Sequence, residues 1–181
     1  MKKLNKYVLA LIITASLAIV FLGFSIGAAF YTVNRAKTSI DEIGKITVDS
    51  DLTLNSAKER LDKAISNYDK LDRNIHLDEK IDNIETLNEK KKEFVNTSIK
   101  LAISVDNQKV KLELDDNKVG QYVKDIDDYQ KAYITLDEFK GLEDYSNYLI
   151  LFEKYKDVIS SGASTDNSSS KEDKAEEVEI C

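Results

Sequence analysis

His76 is the only histidine and Cys181 the only cysteine in this chain, and together they bound the chemistry open to it. A Ser-His-Asp relay would have to be built around His76, whose neighbours Ile75, Leu77 and Asp78 read as a helix junction. One histidine and one distant cysteine fall short of a zinc set, and the glycine-bearing acidic loop of a calcium hand is missing. There is no nucleophile elbow and no glycine-rich phosphate loop. Asp115 with Asp116, and Asp125 with Asp127 and Asp128, are acidic enough to attract calcium weakly, but solvated helix surface is the simpler reading. Paired carboxylates for glycosidic chemistry carry no signal where 33 acidic residues supply nearly any spacing. The expectation is a non-enzyme with no catalytic residue, cofactor or metal.

Binding is the remaining class. Six of the nine tyrosines, Tyr122, Tyr129, Tyr133, Tyr145, Tyr148 and Tyr155, fall in the last two periodic segments. They are read either as a groove for a glycan, peptide or envelope partner, or as helix-packing residues with hydroxyls at the rim. Packing is favoured for the first four. Tyr148 and Tyr155 lie partly off the apolar stripe, so they are expected as exposed contact aromatics. Gly23 and Gly27 stand four apart with Ser16 and Ser25 nearby, the arrangement that lets two membrane helices approach and form a homodimer. A monomeric anchor is the default against which that face is weighed.

These residues are positioned by elements organised around Tyr7 to Tyr31, a stretch with no charged residue. At about 1.5 Å per residue it reaches roughly 37 Å, enough to cross a hydrocarbon core of about 30 Å with tilt. Gly27-Ala28-Ala29 resembles a signal-peptidase site, but the apolar run exceeds the roughly 7 to 15 residues of a signal core, so retention as an anchor is favoured. Cys181 lies far from any N-terminal lipoprotein site. Lys2, Lys3 and Lys6 precede the span, whereas Arg35 and Lys37 are soon joined by Asp41 and Glu42, which favours an inside N-terminus. Of the 26 basic residues, 23 follow the span, against all 33 acidic ones, a net −10 for that part. Such a surface repels phosphate backbones, so nucleic acid is not an expected partner.

The organisation expected is a cytoplasmic leader 1–6, a transmembrane helix 7–33, an extracytoplasmic helical domain 34–159 and a disordered acidic tail 160–181. Val33, Ala36, Ile40 and Ile43 recur at steps of three and four, so the membrane helix is expected to run on until Gly44. Leu54, Ala57, Leu61, Ile65, Tyr68, Leu71 and Ile75 mark the next helix. Ile40-Asp41, Ile43-Gly44 and Ile46-Thr47-Val48-Asp49-Ser50, with Ala57 after them, resemble the opening of a helical segment, I-D-x-I-G-x-V-T-x-D-S, found in exported and surface-anchored proteins of Firmicutes. The resemblance covers roughly residues 40–60 and implies an extracytoplasmic helical module without a catalytic role.

A break is expected near Asn74 to Asp78, followed by a helix burying Ile81, Ile84, Leu87, Phe94, Leu101 and Val105. Ile99 to Leu114 also alternates at period two, so a β-hairpin stays open beside the favoured helix with a kink or short loop near Asp106. Val119, Tyr122, Ile126, Tyr129 and Tyr133 form another stripe. Thr135 to Glu138 has capping-box spacing with Ile134 placed for a staple, and the helix it opens is expected to bury Phe139, Leu142, Tyr145, Leu149, Phe152 and Ile159. No proline interrupts any of these segments. The fold class is therefore all-α, a transmembrane helix continuing into an antiparallel bundle of three or four helices. The function expected is a single-pass interaction or scaffold protein of a Gram-positive cell envelope, bound to another envelope protein or a cell-wall component. The alternative is a ligand-sensing helical ectodomain acting through a membrane partner.

Overall fold

The stripe that begins at Val33 carries the first helix past the charge-free stretch without a break. The structure, a computed structural model, describes residues 6–43 and 51–162, and over these it is all-α with no strand. The helices are α1 (Lys6–Ile43), α2 (Asp51–Asp69), α3 (Ile84–Gln108), α4 (Asp116–Tyr133), α5 (Leu136–Lys140) and α6 (Tyr145–Gly162), with 3-10 turns at Arg73–Ile75 and Asp78–Lys80. The leader, the connector 44–50 and the tail beyond Gly162 with Cys181 lie outside the described residues. Alternation between Ile99 and Leu114 resolves as helix: α3 runs through Asp106 to Gln108, and hydrogen-bonded turns then lead to α4. Burial settles why, since Val95, Ile99 and Ala102 are buried at helical spacing while Leu101 and Ile103 are only half-buried.

The chain divides within α3 into two compact units, one ending at Phe94 and the other starting at Val95. In the first, α1 and α2 pack as an antiparallel pair. Ala36, Ile40 and Ile43 of α1, with Leu54, Ala57, Leu61 and Ala64 of α2, are buried; each large one contributes about 1.5–3 kcal/mol relative to exposure. Register is set by polar contacts, with Asn67 Nδ2 donating to Ser39 Oγ at 3.2 Å and Lys63 Nζ lying 3.8 Å from Glu42. α2 stops at Asp69, six residues short of Ile75, which sits 58% exposed in a 3-10 turn rather than on the stripe. Asp72 caps that turn through Asn74 N, and His76 closes it at φ 54°. The chain then returns to α1, where Asn83 Nδ2 donates to Asp41 Oδ1 at 2.8 Å and to the Lys37 carbonyl, and Asp82 pairs with Lys37 at 2.9 Å.

In the second unit, Asp115 caps α4 through Lys118 N, and Thr135 with Glu138 forms the capping box of α5, as their spacing predicts. Gly120 lets α4 meet α6 closely, since a Cβ there would lie 3.0 Å from Val158 Cγ1. The helix expected from Thr135 onward is two helices. α5 ends at Lys140, and turns at Gly141 to Asp144 precede α6. This break rotates the buried face, which is Asp144, Tyr148, Leu151 and Tyr155, leaving Leu149 and Phe152 exposed. At its other end α6 enters the segment assigned to the tail, where the Ser160 and Ser161 hydroxyls donate to the Lys156 and Val158 carbonyls.

Candidate functional site

α1 carries two stripes where it leaves the apolar segment, and only one of them is core. Ala36, Ile40 and Ile43 face α2, while Tyr31, Arg35, Thr38 and Glu42 recur at the same helical spacing on another face. Beside that polar stripe the two helices leave an open cleft of about 470 Å³, closed on the α2 side by Lys63 and Asn67 and completed by Asn34 and Ser39. This volume lies within the roughly 300–1,000 Å³ of small-molecule sites. Its inner wall is fixed. Asn67 is 6% and Ser39 4% exposed, and Ser39 Oγ accepts from Asn67 while donating to the Ala36 carbonyl at 2.9 Å.

The electrostatics of the cleft are asymmetric along α1. Glu42 at the far end faces Lys63, so those charges offset one another. Arg35 forms no ion pair among the described residues, whereas the neighbouring Lys37 is held by Asp82. A guanidinium flanked by Asn34 and Thr38 is a donor set suited to an oxyanion. Sequence reasoning passed over this site because Arg35 and Lys63 are brought together only by the antiparallel return of α2. The signal present was the polar pair Ser39 and Asn67 lying next to apolar stripes.

The residues singled out from the sequence fall elsewhere. Tyr148 and Tyr155, expected as exposed contacts, are buried at 6% and 2% exposure. Tyr148 packs edge-on against Phe139 at 4.9 Å between ring centroids, and Tyr155 donates its hydroxyl to Asp106 between Lys109 and Lys154. Burial first, and for Tyr155 the Asp106 carboxylate next, pushes both phenols up to about 12. Of the other tyrosines, Tyr133 is buried and Tyr122, Tyr129 and Tyr145 are half-buried, in keeping with packing roles. Gly23 and Gly27 lie on the exposed part of α1 with nothing within 4 Å of a Cβ built at either.

His76 is exposed, its Nδ1 2.9 Å from Glu79 Oε1. Asp115 is spent on its cap and Asp116 on Lys109, Asp125 accepts from Gln121, and Asp127 pairs with Lys131. Among the described residues no group of three or more His, Cys, Asp or Glu side chains is placed to hold a metal. The stretch from Ile12 along α1 is long and apolar enough to cross a membrane. No protein-family model, curated protein or solved structure matches this chain.

Proposed function

We propose that this chain is a single-pass, membrane-anchored interaction or scaffold protein of a bacterial envelope, with its helical domain outside the cytoplasmic membrane and without catalytic activity. One observation carries the reading. α1 is a single helix of 38 residues, exposed and apolar from Ile12 to Tyr31 and entering the α1–α2 core with its last turns. Eleven large apolar side chains between Ile12 and Tyr31 are exposed, which in water would forgo on the order of 20 kcal/mol, more than the roughly 5–15 kcal/mol stability of a typical domain. In lipid that cost vanishes. Orientation is supported by Lys2, Lys3 and Lys6 ahead of the span, since long acidic domains cross with little regard to their own charge. The resemblance of residues 40–60 to segments of surface-anchored Firmicutes proteins agrees with this placement, as does the spending of polar groups on caps and helix ties. The cleft beside Arg35 favours the ligand-sensing reading over a purely mechanical scaffold at that one place.

The test is topological. Protease added to intact protoplasts should digest the chain beyond Arg35 and leave a protected fragment containing the span. Full protection, beside a surface protein that is digested, would place the domain in the cytoplasm and overturn the reading.

A further inference from the structure

We propose that the α1–α2 cleft binds the headgroup of an anionic glycerophospholipid, with Arg35 on the phosphodiester; this rests on α1 being the membrane span. Depth is the first argument. Tyr31 ends the charge-free run and is an aromatic of the kind enriched at the interface. Arg35 follows four residues later, about 6 Å along the helix. The polar layer between a core of about 30 Å and a bilayer of about 40–45 Å is roughly 5–8 Å deep on each side. Arg35 therefore stands at the level of the phosphates, while Glu42, about 16 Å past Tyr31, stands in water.

Chemistry is the second argument. Arg35 is exposed and forms no ion pair among the described residues, in contrast to Lys37 with Asp82, Lys58 with Asp62 and Lys63 with Glu42. A guanidinium at the phosphate level, unspent within the protein, matches the bidentate geometry of a phosphodiester. Directly beyond it the cleft offers Thr38 and Asn67 and then the Lys63–Glu42 pair, groups that hydrogen-bond the hydroxyls of a glycerol-type headgroup. A choline headgroup has no hydrogen-bonding group to offer there, so the site discriminates by hydroxyls. Below Arg35, on the same face three turns toward the membrane, Phe24 is 78% exposed and gives the acyl chains an apolar surface to lie along.

The full chain, reconstituted in nanodiscs of phosphatidylcholine with and without phosphatidylglycerol, is released in the gas phase and the lipids retained by each molecule are counted by native mass spectrometry. Phosphatidylglycerol should be retained in preference to phosphatidylcholine. Arg35→Gln should cut the retention of phosphatidylglycerol by about tenfold, the size of one charge-assisted hydrogen bond, and Arg35→Lys should restore part of it. Arg60→Gln, on the exposed face of α2 outside the cleft, should change nothing. Equal retention of the two lipids by the wild type, or undiminished retention of phosphatidylglycerol in Arg35→Gln, would overturn the proposal while leaving the span intact. Displacement of the lipid by soluble glycerol phosphate at equimolar concentration would assign the site to a free phosphate ligand and overturn the lipid reading. Release of the protein from membranes by alkaline carbonate would overturn the span, and the headgroup site with it.

Discussion

Asp106 and Tyr155 lie 49 positions apart in the chain and share a hydrogen bond, with Lys154 reaching the same carboxylate at 2.7 Å. Burial works against the charge on Asp106, but hydrogen bonds from Lys154 and Tyr155 outweigh it and hold the carboxyl below the usual carboxylate range. A depressed folded-state value means stability that is present above the unfolded value near 3.9 and is lost as pH falls through the folded one. Asp106→Asn should cost about 1–3 kcal/mol at neutral pH, with Lys154 contributing the smaller share because it is half exposed and screened. The difference between the two proteins should shrink as pH falls below the unfolded carboxylate value near 3.9; denaturant midpoints measured across the acid range check it. Tyr155 acts at the opposite limit. Its folded value of about 12 stands above the ordinary 10, so its contribution is full below pH 10 and is lost as pH rises toward 12. An Asp106→Asn midpoint running parallel to the wild type throughout the acid range would show that the carboxylate charge contributes nothing.

At the scale of the helix, what was legible in the sequence was what is decided locally. Thr135 and Glu138 are three residues apart and satisfy each other's backbone donors, so their spacing sufficed. Tyr148 and Tyr155 were misplaced because the phase of α6 is not decided locally. α6 starts where Asp144 meets Asn96, 48 residues away, through reciprocal hydrogen bonds of 3.1 Å, with Lys100 Nζ 3.5 Å from the same carboxylate. Nothing in the run from Thr135 to Ile159 announces that contact, and a helix extrapolated through Gly141 points Leu149 and Phe152 inward by mistake. The cleft escaped for a similar reason, since Arg35 and Lys63 become neighbours only through the return of α2. Where two helices do approach closely, the consequence is testable. Gly120→Leu should destabilise the second unit by about 1–3 kcal/mol through overpacking against Val158, and Val158→Ala in the same chain should recover part of the loss because the two sites touch. Thermal unfolding of the single and double variants decides it; additive losses would mean that the α4–α6 contact is looser than 3.0 Å implies.

For the molecule as a whole, the proposed span puts the division between lipid and water within α1 rather than between helices. Side chains from Ile12 to Tyr31 are mostly exposed and apolar, and full burial starts at Ala36. Among the described side chains every buried aliphatic residue of α1 therefore lies beyond the apolar run, and removing that run removes none of them. Isolated helices of this length gain too little from propensity to persist in water, so the retained ones hold only by burying their stripes against each other. A fragment from Asn34 to Gly162 should accordingly be soluble without detergent and give a helix-dominated circular dichroism spectrum with a cooperative thermal transition. It should do so without added metal, nucleotide or oxidant; the fragment lacks Cys181. It should also fail to sediment with vesicles that capture the full chain. A fragment that is unfolded or aggregated until residues 7–33 are restored would show that the apolar half of α1 packs as part of the domain, and the anchor would have to be sought elsewhere.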